Sequence, residues 1–564
     1  MRTIGIGNQN FEVIRKENYF YIDKTRFIQM WWESGDHVTL ITRPRRFGKT
    51  LNMTMTEEFF SVQYAGREDL FQGLAIWENE KFRLLQGTYP VISFSFANIK
   101  ETNYPMTRRK ICQVLSNLYS QYGFLLNEGI LDEKETEFFR SVSVEMDDVA
   151  ATMAVHQLCL YLSRYYGKRV IVLLDEYDTP MQEAYINGFW DELVSFTRSL
   201  FNAVFKTNSC LERAIMTGVT RVSKESVFSD LNNLEVVATS SEKYADCFGF
   251  TEEEVFAALD EFHMSDRRAE VKAWYDGFTF GSQTDIYNPW SILNFLSKKK
   301  LEAYWANSSS NSLAGRLVRE GSKDLKISFE SLLKGEAITA EIDEQIIYDQ
   351  LSNDEQAVWS LLLASGYLKV KNIKTCTSEY GEWRQEYQME LTNFEVRIMF
   401  RNMVKKWFSS SYSGYNDFIK ALLQANVKAM NTYMNQVALV TFSYFDTGKN
   451  PSGEEPERFY HGFVLGLMVE LADRYILTSN RESGFGRYDV LLEPRKAEDD
   501  GIILEFKVQN TEDEKELSDT VKEALRQIEE KKYEAVLTEK GVPKEKIRKY
   551  GFAFSGKKVL IGGR

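Results

Sequence analysis

Cysteine, proline and long apolar runs are all scarce in this chain of 564 residues. The five cysteines are scattered with no C-x-x-C pair, which argues against a zinc site and a disulfide framework and suits a reducing compartment. No stretch approaches the roughly 18 apolar residues of a membrane span. The opening residues, MRTIGIGNQNFEVIRKENYF, lack the apolar core of a signal peptide. We therefore expect a cytoplasmic protein with no membrane partner.

The composition also lacks the marks of a disordered chain or of a uniformly basic one. Hydrophobic residues make up 43% and charged residues 27%, which are the proportions of globular proteins. The net charge of −13 excludes a general coat for nucleic acid but leaves room for a local basic face. Because a chain of this length exceeds what one hydrophobic core usually supports, we expect several domains.

The segment ITRPRRFGKTLN, residues 41–52, lies between a predicted strand (HVTLIT) and a predicted helix (TLNMTMTEEFFS). Gly48, Lys49 and Thr50 match the end of a phosphate-binding loop, G-x-x-x-x-G-K-[ST], but Arg43 stands where the first glycine belongs. Such a loop binds phosphate through backbone N–H groups and a helix N-terminus. The alternative interpretation is a basic surface turn.

The residues at the end of this loop have predicted roles in nucleotide binding. Gly48 lets the backbone approach the phosphates, Lys49 supplies a charge to the outer phosphates, and Thr50 can ligate Mg²⁺. Arg45 and Arg46 add positive charge beside the anion. The pattern therefore predicts an ATP site with Mg²⁺ as its metal.

A second segment, VIVLLDEYD, reads as a buried strand that ends in acids. Asp175 at the end of the strand can hold the magnesium, and Glu176 can polarise an attacking water. Open α/β sheets bind their ligands at the carboxyl ends of the strands, where both acids lie. The alternative is a strand followed by an acidic turn. Because the two elements occur in the expected order and context, we predict a phosphate-loop ATPase.

A third segment, MTGVTRVS, ends a further predicted strand. A polar group such as Thr217 could sense the γ-phosphate, and Arg221 could act as an arginine finger in cis or in trans. A helix-capping threonine and a surface arginine are the alternative. Strands alternate with helices throughout this region, which predicts a parallel sheet with helices on both faces.

Two apolar segments near the C-terminus, RYDVLLE and GIILEFKV, are expected to pair as antiparallel strands. Asp489 lies in the first, and Glu505 and Lys507 share one face of the second because they are two residues apart. The carboxylates can bind Mg²⁺ or Mn²⁺ to polarise a phosphodiester, while Lys507 orients water or stabilises charge. Glu457, on a preceding helix, could add a carboxylate. The alternative is a surface hairpin with a cross-strand salt bridge.

Further groups follow this predicted metal site. The predicted helix EALRQIEEKKY carries Gln527 and Tyr533, which could support the site. A basic run then reaches the end of the chain: Lys540, Lys544, Lys546, Arg548, Lys549, Lys557 and Lys558. Such a run suits a phosphate backbone, but it is equally typical of a solvated face.

Four segments, GIGNQNFEVIRKENYFYIDKTRFI, RPRRFGKT, LLDEYDTP and WYDGF…YNPWSI, closely resemble the AAA-ATPase-like proteins of bacteria. These proteins carry a C-terminal nuclease-like domain of the PD-(D/E)XK superfamily. The resemblance covers about residues 3–290 and 450–560. The family's loop normally reads R-P-R-R-F-G-K-[ST], so Arg43 is part of its motif.

The resemblance implies an ATP site and a nuclease site. The implied ATP-site residues are Lys49, Thr50, Asp175 and Glu176. The implied nuclease residues are Asp489, Glu505 and Lys507, with Glu457 as the acid of the helix.

We expect an α/β protein of four parts: an ATPase core (1–240), a helical lid (241–320), a winged or helical connector (321–449) and a nuclease-like α/β domain (450–564). The principal hypothesis is an ATPase whose nucleotide state controls a magnesium-dependent nuclease, in mobile-element biology or phage defence. Its expected partner is nucleic acid, with DNA favoured over RNA. The alternatives are an ATP-gated module that binds nucleic acid without cutting it and a signalling ATPase with a protein partner. A homo-oligomer is left open.

Overall fold

The computed structural model describes residues 2–221, 227–228, 231–308, 311–343, 348, 351, 354–377, 383–407, 412–445, 455–483, 486–510, 514–555 and 558–563. Side chains at 312, 323, 412–414, 439–445, 455–459, 480–483 and 486–488 lie outside this description. The chain forms two compact units, residues 1–310 with 337–396 and residues 311–336 with 397–564. The division into four parts stays a prediction, and the proposed linker at 450–457 falls largely outside the described residues.

The described strands range in length from the two residues of β6 to the ten residues of β10. In chain order they are β1 (Val38–Thr42), β2 (Val91–Ser95), β3 (Val170–Asp175), β4 (Leu211–Gly218), β5 (Leu234–Val237), β6 (Phe250–Thr251), β7 (Phe278–Phe280), β8 (Gln283–Tyr287), β9 (Ile338–Glu341), β10 (Leu368–Thr377), β11 (Trp383–Leu391), β12 (Tyr475–Ser483), β13 (Gly486–Pro494), β14 (Gly501–Val508), β15 (Ile547–Ser555) and β16 (Lys558–Gly563).

Helices connect and cover these strands. In chain order they are α1 (Phe11–Lys16), α2 (Arg26–Ser34), α3 (Lys49–Phe60), α4 (Glu80–Arg83), α5 (Tyr104–Gln121), α6 (Glu133–Ser141), α7 (Asp148–Tyr166), α8 (Thr179–Asn187), α9 (Trp190–Phe201), α10 (Glu252–Glu261), α11 (Arg268–Tyr275), α12 (Pro289–Lys298), α13 (Ser312–Glu320), α14 (Lys323–Lys334), α15 (Glu355–Ala364), α16 (Phe394–Trp407), α17 (Tyr412–Leu423), α18 (Val427–Phe445), α19 (Glu455–Leu471), α20 (Leu517–Glu530) and α21 (Glu534–Glu539). No helix in the described part of the chain is long and apolar enough to cross a membrane.

The first unit is built on a parallel sheet with the strand order β2-β3-β4-β1-β5. Every residue of β1 and β3 is buried, which is typical of the inner strands of a parallel sheet. Helix α3 packs against β2 and β3, and α7 packs against β3. The predicted α/β class and parallel sheet are confirmed. Since β4 lies between β1 and β3, the ends of these three strands are neighbours.

Two small antiparallel sheets complete the first unit. Their strand orders are β6-β8-β7 and β10-β11-β9. Helix α10 follows β6 and begins at a capping box, in which Thr251 accepts a hydrogen bond from the backbone N–H of Glu254 at 3.3 Å. This cap satisfies backbone N–H groups at the start of α10.

The second unit contains a mixed sheet with the order β12-β13-β14-β15-β16. Strands β13 and β14 are antiparallel, as predicted, whereas β14 and β15 are parallel and α20 lies between them in the chain. Helix α20 packs against β14 and β15. A strand–helix–strand crossover of this kind brings the end of β14 and one face of α20 together.

Strand β16, at one edge of this sheet, is covered by two asparagines of α18. Asn431 donates to the carbonyl of Ile561 at 2.7 Å and accepts from its N–H at 2.8 Å. Asn435 makes the same pair of bonds with Val559, at 2.7 and 2.9 Å. The two amide side chains therefore occupy backbone groups that another strand would otherwise use.

Candidate functional site

Residues from three separate segments meet at the carboxyl ends of β1, β3 and β4. Thr50 Oγ1 donates a hydrogen bond to Asp175 Oδ2 at 2.7 Å, and Thr217 Oγ1 donates to Asp175 Oδ1. Thr50 is the second residue of α3, while Asp175 and Thr217 lie near the ends of their strands. The structure thus joins three of the residues that we assigned to one nucleotide site. Their roles stay predictions.

The carboxylate of Asp175 is the centre of this group and is 6% exposed. Burial raises its pKa, and the hydrogen bonds from Thr217 and Thr50 oppose that rise. A cation beside the group would favour the ionised form further. A hydroxyl and a carboxylate oxygen are the ligand types that Mg²⁺ prefers, so this donor set fits the predicted metal.

Glu176 follows directly and has a left-handed backbone, with φ of +51°. Its N–H donates to Thr217 Oγ1 at 3.2 Å, and its Oε2 accepts from Thr179 Oγ1 at 3.2 Å. A left-handed backbone conformation costs a glutamate conformational energy, and it persists where the surrounding structure holds the residue in place. The alternation of side chains along β3 ends at Asp175, and the left-handed backbone of Glu176 lies outside it.

Lys49, the first residue of α3, is 5% exposed and is held by the loop itself. Its Nζ donates to the carbonyl oxygens of Arg43 and Pro44, both at 2.9 Å. Burial lowers the pKa of the Lys49 ammonium, although the neighbouring carboxylates, Glu176 first among them, oppose the shift. Phosphate oxygens would compete with these two carbonyls as acceptors.

The backbone of the loop turns sharply twice before α3. Gly48 is the N-cap residue of α3 with φ of +80°, and Arg46 has φ of +64°. The glycine takes this conformation without strain, whereas Arg46 does not. Phe47 lies between them and packs edge to face on Phe278 and Phe280, with ring centroids 4.7 and 5.5 Å away. This contact ties the loop to the sheet of β6, β8 and β7.

Arg43, in place of the expected glycine, is a structural anchor. Its side chain is fully buried and donates to the carbonyls of Thr42 at 2.9 Å and Ala238 at 2.8 Å. Its guanidinium also lies 4.3 Å from the ring centroid of Phe280. The arginine therefore joins the end of β1 to the segment after β5, where a glycine could make no such contacts.

Arg45 and Arg46, which we expected beside the anion, also contact protein groups. The Arg45 guanidinium donates to Gln182 at 3.3 Å, and that of Arg46 lies 4.4 Å from the ring of Trp290. The carbonyl of Arg45 accepts from Trp305 Nε1 at 2.9 Å and from Asn288 Nδ2 at 3.2 Å. Asn288 is the N-cap residue of α12 and Trp290 lies in its first turn, and nothing in the sequence spacing links them to the loop.

Asp178 is a further buried carboxylate of this region, with 1% exposure. Its Oδ2 accepts from the N–H groups of Val219 and Thr220, both at 2.9 Å, and burial raises its pKa. It therefore shapes the segment that leads from β4 to Arg221. Arg221 itself is half-buried, and residues 222–226 lie outside the described part of the chain.

The second candidate site lies on β13 and β14 of the second unit. Asp489 and Glu505 are each one residue beyond the Val490–Leu504 pair of the ladder, which makes them neighbours across the two strands. Asp489 Oδ2 accepts a hydrogen bond from the Phe506 N–H at 2.7 Å. Glu505 is 2% exposed, and burial, together with the negative charge of Asp489, raises its pKa to about 9.

One oxygen of Glu505 is satisfied and the other is not. Oε1 accepts from Gln527 Nε2 on α20, and the same amide lies 3.2 Å from the hydroxyl of Tyr533. Oε2 is buried without a hydrogen-bond partner among the residues that the structure describes. Lys507, on the same face of β14, is half-buried, and its charge opposes the rise in the Glu505 pKa. An orphaned carboxylate oxygen beside a second carboxylate fits a divalent cation.

Two glycines let α20 approach this sheet. A Cβ at Gly551 would stand 2.9 Å from the Val521 carbonyl oxygen, and one at Gly562 would stand 2.5 Å from Val521 Cγ1. Both distances are shorter than side chains tolerate. The small residues therefore allow the close packing of helix on strand that brings Gln527 to Glu505.

The third predicted carboxylate, Glu457, lies in α19, and its side chain falls outside the description. Among the described side chains, no group of three or more His, Cys, Asp or Glu residues is arranged to hold a metal. Asp489 and Glu505 are therefore the carboxylate pair that the described residues supply.

The basic run at the C-terminus is largely paired within the second unit. Lys540 pairs with Glu493, Lys549 with Glu534, and Arg548 with Asp500. Lys546 donates to the carbonyl of Ala497 at 2.9 Å. Lys557 lies outside the described residues. These contacts favour the solvated face over a free basic surface.

Comparison with known proteins finds two matched segments in this chain. Residues 5–228 match the family model described as a predicted AAA-ATPase, and residues 455–563 match that of the PD-(D/E)XK nuclease superfamily. A protein of Azotobacter chroococcum mcd 1, described as an uncharacterized protein in the vnfD 5' region, is 26% identical over 398 residues, which are 70% of this chain and 68% of that protein. The chain therefore contains one segment that is similar to predicted AAA-ATPases and one that is similar to the PD-(D/E)XK nuclease superfamily.

Proposed function

We propose that this protein binds and hydrolyses ATP at the ends of β1, β3 and β4. The observation that carries the proposal is the bond of Thr50 to Asp175, beside a buried Lys49 at the start of α3. A threonine and an acid that already touch can share one cation, and a lysine at a helix N-terminus suits phosphate.

Each of these residues has a proposed task. Lys49 exchanges the carbonyls of the loop for the outer phosphates, and Thr50 and Asp175 hold the metal. Thr217 keeps the Asp175 carboxylate in place, and Glu176 orients the attacking water and accepts its proton. Magnesium, when bound, would offset the charge that develops on the transferred phosphoryl group. Arg221 is proposed as the residue that senses or stabilises that charge, in cis or in trans.

We propose a second activity, metal-dependent cleavage of a phosphodiester, for the site on β13 and β14. The buried, unpartnered oxygen of Glu505 next to Asp489 supports it. Asp489 and Glu505 would hold Mg²⁺ or Mn²⁺, with Glu457 as a third carboxylate, and Lys507 would orient water or stabilise developing charge. The metal would supply polarisation of the phosphate ester. The proposed substrate is nucleic acid, with DNA favoured over RNA.

We further propose that the nucleotide state of the first site controls the second, in a cytoplasmic protein of mobile-element biology or phage defence. The test uses the purified full chain with plasmid, single-stranded DNA and RNA, with Mg²⁺ or Mn²⁺, and with or without ATP. We expect cleavage that needs metal and changes with ATP. Nucleic-acid binding without cleavage would instead support an ATP-gated binding module. ATP hydrolysis that no nucleic acid stimulates would support a signalling ATPase with a protein partner.

A further inference from the structure

The phosphate loop, residues 43–48, is held from outside the sheet through one backbone carbonyl. The Arg45 oxygen accepts from Trp305 Nε1 at 2.9 Å and from Asn288 Nδ2 at 3.2 Å. Two donors on one oxygen fix the position and the tilt of the peptide between Arg45 and Arg46. Because Arg46 has a left-handed φ of +64°, this peptide needs such support to keep its conformation.

The two donors belong to segments that a single buried carboxylate joins. Glu395, in the first turn of α16, is 1% exposed. It accepts from the Trp305 N–H at 2.5 Å and from Ser291 Oγ at 2.9 Å. Ser291 lies in the first turn of α12, and its own N–H donates to Asn288 Oδ1 at 3.3 Å. Glu395 thus links both segments that reach the Arg45 carbonyl.

We propose that Glu395 is a positioning residue for the nucleotide site, which it serves by holding Trp305 and Asn288 against the phosphate loop. The inference rests on the proposed ATPase function. Glu395 touches no residue that we place on phosphate or metal, and it lies outside the 5–228 segment that matches the ATPase family. Its action on the site therefore passes through Trp305 and Ser291.

The chemistry of this contact supports a role in geometry. A buried carboxylate is costly, and burial raises the pKa of Glu395 to about 7, opposed by hydrogen bonds from Ser291 and from the N–H groups of Ala306 and Trp305. An apolar side chain of similar volume would fill the space without that cost. A fully hydrogen-bonded network instead fixes the relative placement of the groups that it joins.

Four variants of the full chain test the proposal. Glu395→Ala removes the acceptor of Trp305 N–H and Ser291 Oγ, whereas Glu395→Gln keeps an acceptor oxygen and can donate its amide to the serine hydroxyl. Trp305→Phe removes only the indole donor to the loop. Ser291→Ala removes only the serine hydroxyl that donates to Glu395, and it replaces Glu395→Ala if that variant does not fold. Glu58→Ala is the matched control, because Glu58 is also buried, at 2% exposure, and makes no contact with the loop carbonyl.

The first readout needs no nucleotide. Trypsin can cleave after Arg45 or Arg46 when the loop opens, and cleavage after the exposed Arg109 serves as the internal reference. We expect Glu395→Ala and Trp305→Phe to speed cleavage in the loop by about tenfold, as the loss of one good hydrogen bond would. Ser291→Ala should fall between them and the parent, and Glu395→Gln and Glu58→Ala should stay within about twofold.

The second readout separates ATP affinity from turnover. A displaced loop weakens phosphate binding in ground state and transition state alike, so KM for ATP should rise by about tenfold while kcat changes less than about threefold. Parental trypsin sensitivity in both Glu395→Ala and Ser291→Ala would overturn the proposal. If the parent binds no ATP, the proposed function fails, and the trypsin readout still decides whether Glu395 positions the loop.

Discussion

The two candidate sites differ in how their polar groups are satisfied. At the ends of β1, β3 and β4, the groups bind one another: Lys49 binds carbonyls of its own loop, and Asp175 accepts from two threonines. On β13 and β14, the Glu505 Oε2 has no partner among the described residues and lies in the field of Asp489.

This difference predicts opposite responses to ligand. The first site is shaped before any ligand arrives, so a nucleotide exchanges existing hydrogen bonds for new ones of similar kind. In the second site, the charge of Lys507 only partly offsets the repulsion between Asp489 and Glu505, so a divalent cation would stabilise both carboxylates. Removal of one residue should therefore damage the first site through lost contacts and the second through lost charge.

The largest expected effect is at Lys49. Lys49→Ala should lower ATP turnover by about 1,000-fold, since it removes the ammonium hydrogen bonds that we propose for the outer phosphates at the start of α3. Phosphate release and nucleotide calorimetry measure it, with the exposed Lys168→Ala as control. Unchanged turnover would remove the phosphate loop from the proposed site.

The carboxylates of the second site come next. Asp489→Ala or Glu505→Gln should reduce metal-dependent cleavage by about 100-fold or more and leave ATP hydrolysis within about twofold. Titration with Mn²⁺ by calorimetry checks the cause directly, with the exposed Glu498→Gln as control. Equal Mn²⁺ affinity in parent and variants would favour a salt-bridged hairpin over a metal site.

Glu176→Gln should keep ATP binding and slow hydrolysis by about 100-fold, because the amide preserves shape but cannot accept the proton of water. Single-turnover kinetics with saturating ATP measure the step. Asp178→Asn is the comparison, since Asp178 binds backbone N–H groups and its loss should lower the melting temperature first. A parental rate in Glu176→Gln would show that another group orients the water.

The pH dependence of metal binding sharpens the contrast between the sites. The pKa of Glu505 is raised to about 9, so below that pH the carboxyl of the metal-free protein carries a proton. The protonated carboxyl contributes to the free energy of unfolding, and this contribution is lost as the pH rises toward 9. Metal must displace this proton, and Mn²⁺ affinity should rise by up to about tenfold per pH unit between about 5 and 9. Calorimetry in buffers of different ionisation enthalpy counts the proton, and Glu505→Gln should release none from this position.

The smallest effect is expected at Lys507. Lys507→Ala should slow cleavage by about 3- to 10-fold and leave Mn²⁺ affinity nearly unchanged, because an ammonium stabilises charge without ligating the ion. Parallel measurement of rate and metal affinity separates the two. A large loss of Mn²⁺ binding would show that the lysine instead holds the carboxylates in place.

Local sequence patterns predicted the frame of both sites. Apolar runs that end in polar residues marked β1, β3 and β4, and parallel pairing then brought Thr50, Asp175 and Thr217 together. The alternation along β14 placed Glu505 and Lys507 on one face, and the strand pair brought Asp489 beside them. The strands and their pairing were predictable because strand period and sheet order are local or repetitive features. The roles of the residues that they bring together stay predictions.

The supports of the phosphate loop could not be predicted in this way. Arg43 reaches carbonyls about 195 residues away, and Trp305 and Glu395 act from still further along the chain. Arginine and glutamate usually lie at the surface, so the sequence alone does not show that Arg43 and Glu395 are buried. Only tertiary packing reveals their partners. The C-terminal basic run shows the opposite limit. Its charge pattern was compatible with a surface for nucleic acid, but Lys540 and Lys549 pair with glutamates of the same unit.

Asn431 and Asn435 have a consequence for how this protein behaves at high concentration. Their amides occupy the N–H and C=O groups of Ile561 and Val559, and so they leave that edge of the sheet fewer sites at which a second chain could add a strand. An aspartate at either position would keep the shape but lose the donor, and alanine would lose both bonds. Variants of these two asparagines should therefore be the ones that form intermolecular β-structure on storage, long before either candidate site is affected.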